Sequence, residues 1–277
     1  MKKGKVAWCI DFFKQLFKKI KNDDVQAVSA QLSFYLILSL FPFLIFIMTL
    51  VGYANISMED RILDLAEILP AEAILIMQEI VKEVAEGRSQ ALLSFGMLAT
   101  LWAASKGIDA TFKGLNQAYD IEDDRAFWKV RAISLMGTLF IGLVILLSTL
   151  LLVFGSWLKD QVFHLFPIPY IFYQLWNLVQ YALPLLIMII VFTMLYWIAP
   201  NRKMSTREAL PGAIFTTFGW ITTTGLFSIY VNQFGDFTRT YGSLGGVMVL
   251  LTWLYISSMI ILVGGEINAT LVYRRGK

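Results

Sequence analysis

The 277 residues fall into long stretches without a single Asp, Glu, Lys or Arg, separated by short segments where the charges crowd. Leu32 to Ala54 is one such stretch. Ser89 to Ser105, Ala132 to Leu158, Gln161 to Asn201, Ala209 to Gly235 and Thr240 to Gly265 are the others. About 20 apolar residues cross the hydrocarbon core of a bilayer. In lipid a chain must satisfy its own backbone amides, and a helix does so. The pattern predicts an all-α polytopic membrane protein with six transmembrane helices, near residues 32–54, 89–111, 132–158, 173–198, 209–233 and 244–272. The fourth starts beyond Pro167 and Pro169, which break its uncharged window. The alternating ten-residue segments of a membrane barrel are absent. Only 16% of the chain is charged, against about 25% in soluble domains, and too little lies outside the spans for a second soluble core. The first span begins too late and runs too long for a cleavable signal.

Lysine and arginine set the expected orientation. The segment 1–30, the loop after the second helix with that helix's basic end, the loop after the fourth helix and the tail 274–277 hold 18 of them. The opposite side holds five: Arg61, Lys82, Arg88, Lys159 and Arg239. The positive-inside rule then places both termini in the cytoplasm of a multi-pass plasma-membrane protein.

Two segments are expected at the membrane surfaces. Phe13, Leu16, Phe17 and Ile20 recur at helical spacing among Lys14, Lys18, Lys19 and Lys21. This describes a basic amphipathic helix for the anionic cytoplasmic leaflet, so membrane lipids are the expected partners. The loop 56–88 carries eight acids against three bases. Ile74, Met77, Val81 and Val84 give it an apolar stripe, suited to a cap or lid outside the bundle.

Polar residues inside the spans carry the functional expectation. Trp102, Lys106, Asp109, Lys113 and Asn116 follow at steps of four, three, four and three, which keeps them on one helical face. That stripe reads either as a solvated helix extension or as the cytoplasmic wall of a substrate path. Glu266 follows 26 uncharged residues and stands about 10 Å inside Arg274 by the helical rise. An acid there must face protein and find a partner, and Lys106, at similar depth, is the expected one. The pair reads as a helix lock or as an ion site, with Asn268 beside it. Gln31, Ser33 and Ser39 interrupt the first apolar run. Pro42 there and Pro184 in the fourth helix are candidate kinks. Gly212, Thr216, Gly219 and Thr223 share one face of the fifth helix, and small residues also open the sixth, as close helix packing in lipid requires.

Other chemistry finds no support. There is no glycine-rich phosphate loop, and one cysteine, Cys9, with one histidine, His164, makes no zinc site. The only basic surface faces the membrane, so no nucleic acid is expected, and neither are cofactors or metals. Whether the chain forms a homo-oligomer is left open.

Several stretches are similar to the YihY/BrkB family of bacterial inner-membrane proteins, once also labelled ribonuclease BN. They are AVSAQLSFYLILSLFPFLI in the first helix, LWAASKGIDATFKGLNQAYD in the second, PGAIFTTFGW in the fifth and YGSLGGVMVLLTWLYISSMIILVGGEINA in the sixth. The resemblance runs from about residue 25 to 272 in family order. It implies six helices in a bacterial plasma membrane and links to envelope integrity, serum resistance and export of lipid or solute, without one settled activity. It places Lys106, Asp109, Asn116, Glu266 and Asn268 inside family signatures and gives them no role. The expectation is a transporter of an amphiphilic, lipid-like envelope substrate, driven by an ion gradient through Glu266 or by the substrate's own gradient. A membrane scaffold is the alternative. An enzyme, ribonuclease included, is disfavoured for want of a catalytic set.

Overall fold

The computed structural model describes residues 5–53, 90–140, 170–234 and 244–275. The acidic loop 56–88, the third span beyond residue 140, and His164 with Pro167 and Pro169 lie outside the described residues. Among the described residues all regular structure is helical. The helices are α1 (Lys5–Asn22), α2 (Val25–Tyr53), α3 (Gln90–Ala118), α4 (from residue 127 to 140), α5 (Tyr170–Ile198), α6 (Thr206–Phe234) and α7 (Gly245–Arg275).

Two of these helices are long and apolar enough to cross a membrane, over Thr206–Val231 in α6 and Gly245–Arg274 in α7. Protein covers only 11% and 17% of their most apolar windows. A core helix of a soluble protein would be mostly covered. Val25–Leu40 and Ala182–Ile198 are shorter apolar helices. α2 continues through Pro42 and α5 through Pro184.

The ends of the helices follow local chemistry. α1 stops where Asp24 takes a left-handed backbone (φ 46°), so that α2 can begin at Val25. α3 closes with Asp120 in the same conformation (φ 52°). There the amide of Asp120 bonds the Gln117 carbonyl and that of Ile121 bonds the Asn116 carbonyl, the paired bonds of a Schellman end. Aspartate is one of the few side chains that tolerates this backbone. α6 opens on a capping box: Ser205 Oγ accepts from the Arg207 amide and Glu208 reaches back to the Ser205 amide.

The chain divides into two compact units. One holds residues 27–110 and 223–258. In it Gly107 of α3 faces Leu32, Tyr35 and Leu36 of α2, and Trp253 Nε1 of α7 donates to Thr224 Oγ1 of α6 at 3.3 Å. The other holds residues 1–26, 111–222 and 259–277. It carries α1, α4, α5, the end of α3, the start of α6 and the end of α7, and most of the buried polar contacts described below.

Candidate functional site: buried acids at the end of α7

The site is built where α7 lies against the start of α6. Backbone approaches closely there because both helices present glycine. A Cβ on Gly212 would strike the Gly264 carbonyl oxygen and the Asn268 amide. One on Gly264 would strike Thr216 Oγ1 and the Tyr196 hydroxyl, and one on Gly265 would strike Leu115. Tyr196, wholly buried on α5, donates to the Ile261 carbonyl at 2.6 Å. That uses its single proton, so Thr216 Oγ1, also 2.6 Å away, is the donor in the second bond. Asn268 spans the gap on the next turns. These contacts fix the rotation of α7 and thereby the direction of Glu266.

Glu266 is 1% exposed, and its Oε2 has no hydrogen-bond partner. The charges of Asp23, Lys19 and Asp120 act on its carboxyl. Lys19 is the centre of this group. Its ammonium donates to the Ala118 carbonyl at 2.8 Å and lies 3.4 Å from Asp23 Oδ2 and 3.5 Å from Asp120 Oδ2. It also stands 5.1 Å from the ring centroid of Tyr273. The Tyr273 hydroxyl lies 2.6 Å from the Tyr119 carbonyl and 2.9 Å from Asp120 Oδ2. Burial pushes the Tyr119 hydroxyl well above the ordinary tyrosine range, opposed by Arg202 over its ring at 5.0 Å.

A second network ties the end of α3 to the turn between α5 and α6. Asn116, buried, donates from Nδ2 to Asp123 Oδ2 at 2.9 Å and accepts the Asn201 amide at 2.7 Å. Arg125 grips both oxygens of Asp123 and donates to the Ala199 carbonyl at 3.1 Å. The Arg125 bonds hold the Asp123 carboxyl below the usual carboxylate range. Asn201 Nδ2 bonds Asp124.

The sequence-selected residues thus separate. Glu266 and Asn268 share one face of α7 and are both buried. Within its own unit, Lys19 of α1 is a cation that acts on Glu266. Lys106 belongs to the other unit, where its ammonium lies 5.8 Å from the Trp102 ring centroid. The α3 stripe does not stay on one surface. Trp102 and Lys113 are exposed, Lys106 and Asp109 are half-buried, and Asn116 is inside. Ser33 and Ser39 are buried and donate to carbonyls of their own helix, Ala30 at 2.9 Å and Leu36 at 2.7 Å. Sequence reasoning passed over Asp23, Asp120, Tyr119, Tyr196 and Tyr273. The first two carried a signal: aspartates at helix ends, where a left-handed residue closes the helix. Among the described residues no three His, Cys, Asp or Glu side chains are placed to hold a metal ion.

Comparison with known proteins agrees with this picture of long apolar helices. The family described as virulence factor BrkB matches residues 16–277. The ribonuclease-like protein YfkH of Bacillus subtilis is 40% identical over 266 residues, covering 96% of this chain and 97% of that one. A UPF0761 membrane protein of Alteromonas mediterranea is 26% identical, covering 94% and 87% of the two chains. One from Vibrio parahaemolyticus is 25% identical, covering 95% and 82%. No solved structure matches. With the match running almost end to end, and relatives that are named membrane proteins, the chain belongs to the BrkB family and is a membrane protein.

Proposed function

We propose that this protein is a plasma-membrane transporter of an amphiphilic, lipid-like substrate, coupled to an ion, with six spans and both termini in the cytoplasm. The 18-to-five division of Lys and Arg supports the topology. The observation that carries transport is Glu266: a fully buried carboxyl on a long apolar helix, with one oxygen unpartnered. A charged side chain at mid-membrane costs about 2.5–3.5 kcal/mol on insertion scales, less near the edge, and such residues mark ion or substrate paths. The role is not enzymatic in this reading, and it uses no cofactor. α1 lies on the anionic leaflet, with Ile10, Phe13 and Phe17 exposed (62%, 58% and 71%) along one side and Lys14, Lys18 and Lys21 adjoining them.

The test is lipid and ion flux in proteoliposomes, with wild type beside Glu266→Gln. Flux lost in a variant that melts like wild type supports the transporter. Unchanged flux and pH dependence in Glu266→Gln refutes the coupling role. Maleimide labelling of cysteines placed at Lys203 and Lys277, in a Cys9→Ser background, must report the same side of the membrane. A scaffold is the second reading. It is favoured by Asn116, Tyr196 and Asn268, whose hydrogen bonds all hold helices and loops together. That reading predicts no flux of any lipid or cation.

A further inference from the structure

Trp128 is 79% exposed, more than any other large apolar side chain among the described residues, and Phe127 beside it is 66% exposed. Their rings meet edge to face, with centroids 5.4 Å apart. The backbone that presents them is held on both sides. Before them, Arg125 grips Asp123, donates to the Ala199 carbonyl at 3.1 Å and stands 5.5 Å from the ring centroid of buried Phe112. After them, the Lys129 and Val130 amides bond the Ala126 carbonyl as α4 begins. Exposed aromatic rings set side by side on fixed backbone mark a contact surface.

The order of chemistry along the chain says what the surface fits. Glu122, Asp123 and Asp124 come first, then Phe127 and Trp128, then Lys129 and Arg131, then the uncharged stretch that opens at Ala132. The acids, which lipid phosphate repels, stand on the side away from that stretch. The bases, which phosphate attracts, adjoin it. A tryptophan suits the layer between, because its ring is apolar and its N–H is polar. Trp197 Nε1 donates to the Met204 carbonyl at 2.9 Å and Trp253 Nε1 to Thr224 Oγ1 at 3.3 Å. Among the described residues the Trp128 N–H has no such acceptor, so its donor is directed out of the protein. Lys129 is exposed, and a lysine beside the rings reaches phosphate along its own apolar stem.

We propose that Phe127 and Trp128 anchor α4 in the ester and phosphate layer of a phospholipid leaflet, with the Trp128 N–H on a lipid oxygen and Lys129 on phosphate. The anchor fixes the depth at which α4 enters the bilayer and leaves Asp123 and Asp124 on its water side. It does not rest on transport, since a scaffold in the membrane needs the same seat.

Tryptophan emission of the full chain in vesicles of phosphatidylcholine and phosphatidylglycerol tests it without any substrate. The emission of wild type minus that of Trp128→Phe isolates Trp128, and the variant keeps an aromatic ring at an exposed position. Lipid brominated near the ester end of its acyl chains is expected to quench most of that difference. Lipid brominated at the chain ends should quench it far less, and aqueous iodide less than it quenches free tryptophan. A nitroxide on Phe127→Cys, in a Cys9→Ser background that retains Trp128, gives a second reading. It should collide with a water-soluble nickel chelate less often than one on Lys203→Cys, which is exposed on the turn before α6. If Phe127→Cys does not fold, the fluorescence decides. Quenching by iodide alone would place the pair in water, ready for a soluble partner. Strongest quenching from the chain ends would place it in the hydrocarbon core. Protection from all three quenchers would mean that protein, such as a second copy of the chain, covers it. Each of these three results overturns the anchor. An anchored Trp128 without flux in proteoliposomes removes transport alone, and flux with Trp128 in water removes the anchor alone.

Discussion

Asn268 holds the backbone of α6 on both sides of Pro211: its Oδ1 accepts the Gly212 amide at 2.7 Å, and its Nδ2 donates to the Ala209 carbonyl at 2.9 Å. Both bonds are buried. Leaving a buried backbone group unpaired costs about 1–3 kcal/mol, while measured interhelical hydrogen bonds in membranes average nearer 0.6 kcal/mol. Asn268→Ala removes two buried interhelical bonds at once, so a loss of about 1 kcal/mol is expected. Its midpoint in a denaturing-detergent titration should fall clearly below that of wild type. An unchanged midpoint would mean that α6 satisfies these groups in another way.

The glycines separate into two kinds. At Gly212 a methyl group meets the Gly264 carbonyl, which is backbone and cannot swing aside. At Gly225 it meets nothing within 4 Å. Gly212→Ala should therefore push α6 from α7 and lower the melting temperature. Gly225→Ala should raise it slightly, since alanine favours a helix interior by up to about 1 kcal/mol. Thermal melts of both variants in one detergent make the comparison, and equal shifts would contradict the close approach.

Asp123 links the Asn116 amide to Arg125. Its folded-state value is depressed, first by the Arg125 hydrogen bonds. The stabilisation is thus present above the ordinary value of 3.8 and is lost as pH falls through the lower folded value. Asp123→Asn should destabilise the protein at neutral pH and leave a flatter acid limb in a stability–pH curve. Identical acid limbs would show that the pair does not bind more tightly when ionised.

Tyr273 ties the end of α7 to the turn after α3, its hydroxyl 2.6 Å from the Tyr119 carbonyl and 2.9 Å from Asp120 Oδ2. Tyr273→Phe removes that hydroxyl and keeps the ring, so a loss of about 1 kcal/mol is expected. A thermal melt beside wild type checks it, and an unchanged midpoint would show that these bonds add nothing to stability.

Much of this could be read from residues in order. The 26 uncharged residues ahead of Glu266 identify α7 and expose the acid as an anomaly. The spacing of Gly212, Thr216 and Gly219 identifies the packing face of α6, because helical periodicity is local and survives without tertiary contacts. The amphipathic character of α1 is likewise legible.

That Lys19 acts on Glu266 was not. Lys19 and Asp23 stand more than 240 positions away in the chain, and depth alone favours Lys106. On a helical wheel Lys19 counts with Lys14, Lys18 and Lys21 as part of a basic surface. Packing turns Leu16, Lys19 and Asp23 inward and leaves Phe13 and Phe17 outside. In the same way Asn116 ends a polar stripe in sequence, yet folding buries it under Asn201 and Asp123. Residue order marks the apolar helices and the acid within one of them, since those depend on neighbours three or four residues apart. The tertiary structure alone decided which charges meet, because that depends on how distant helices rotate against one another, and close backbone contact at Gly212 and Gly264 sets that rotation.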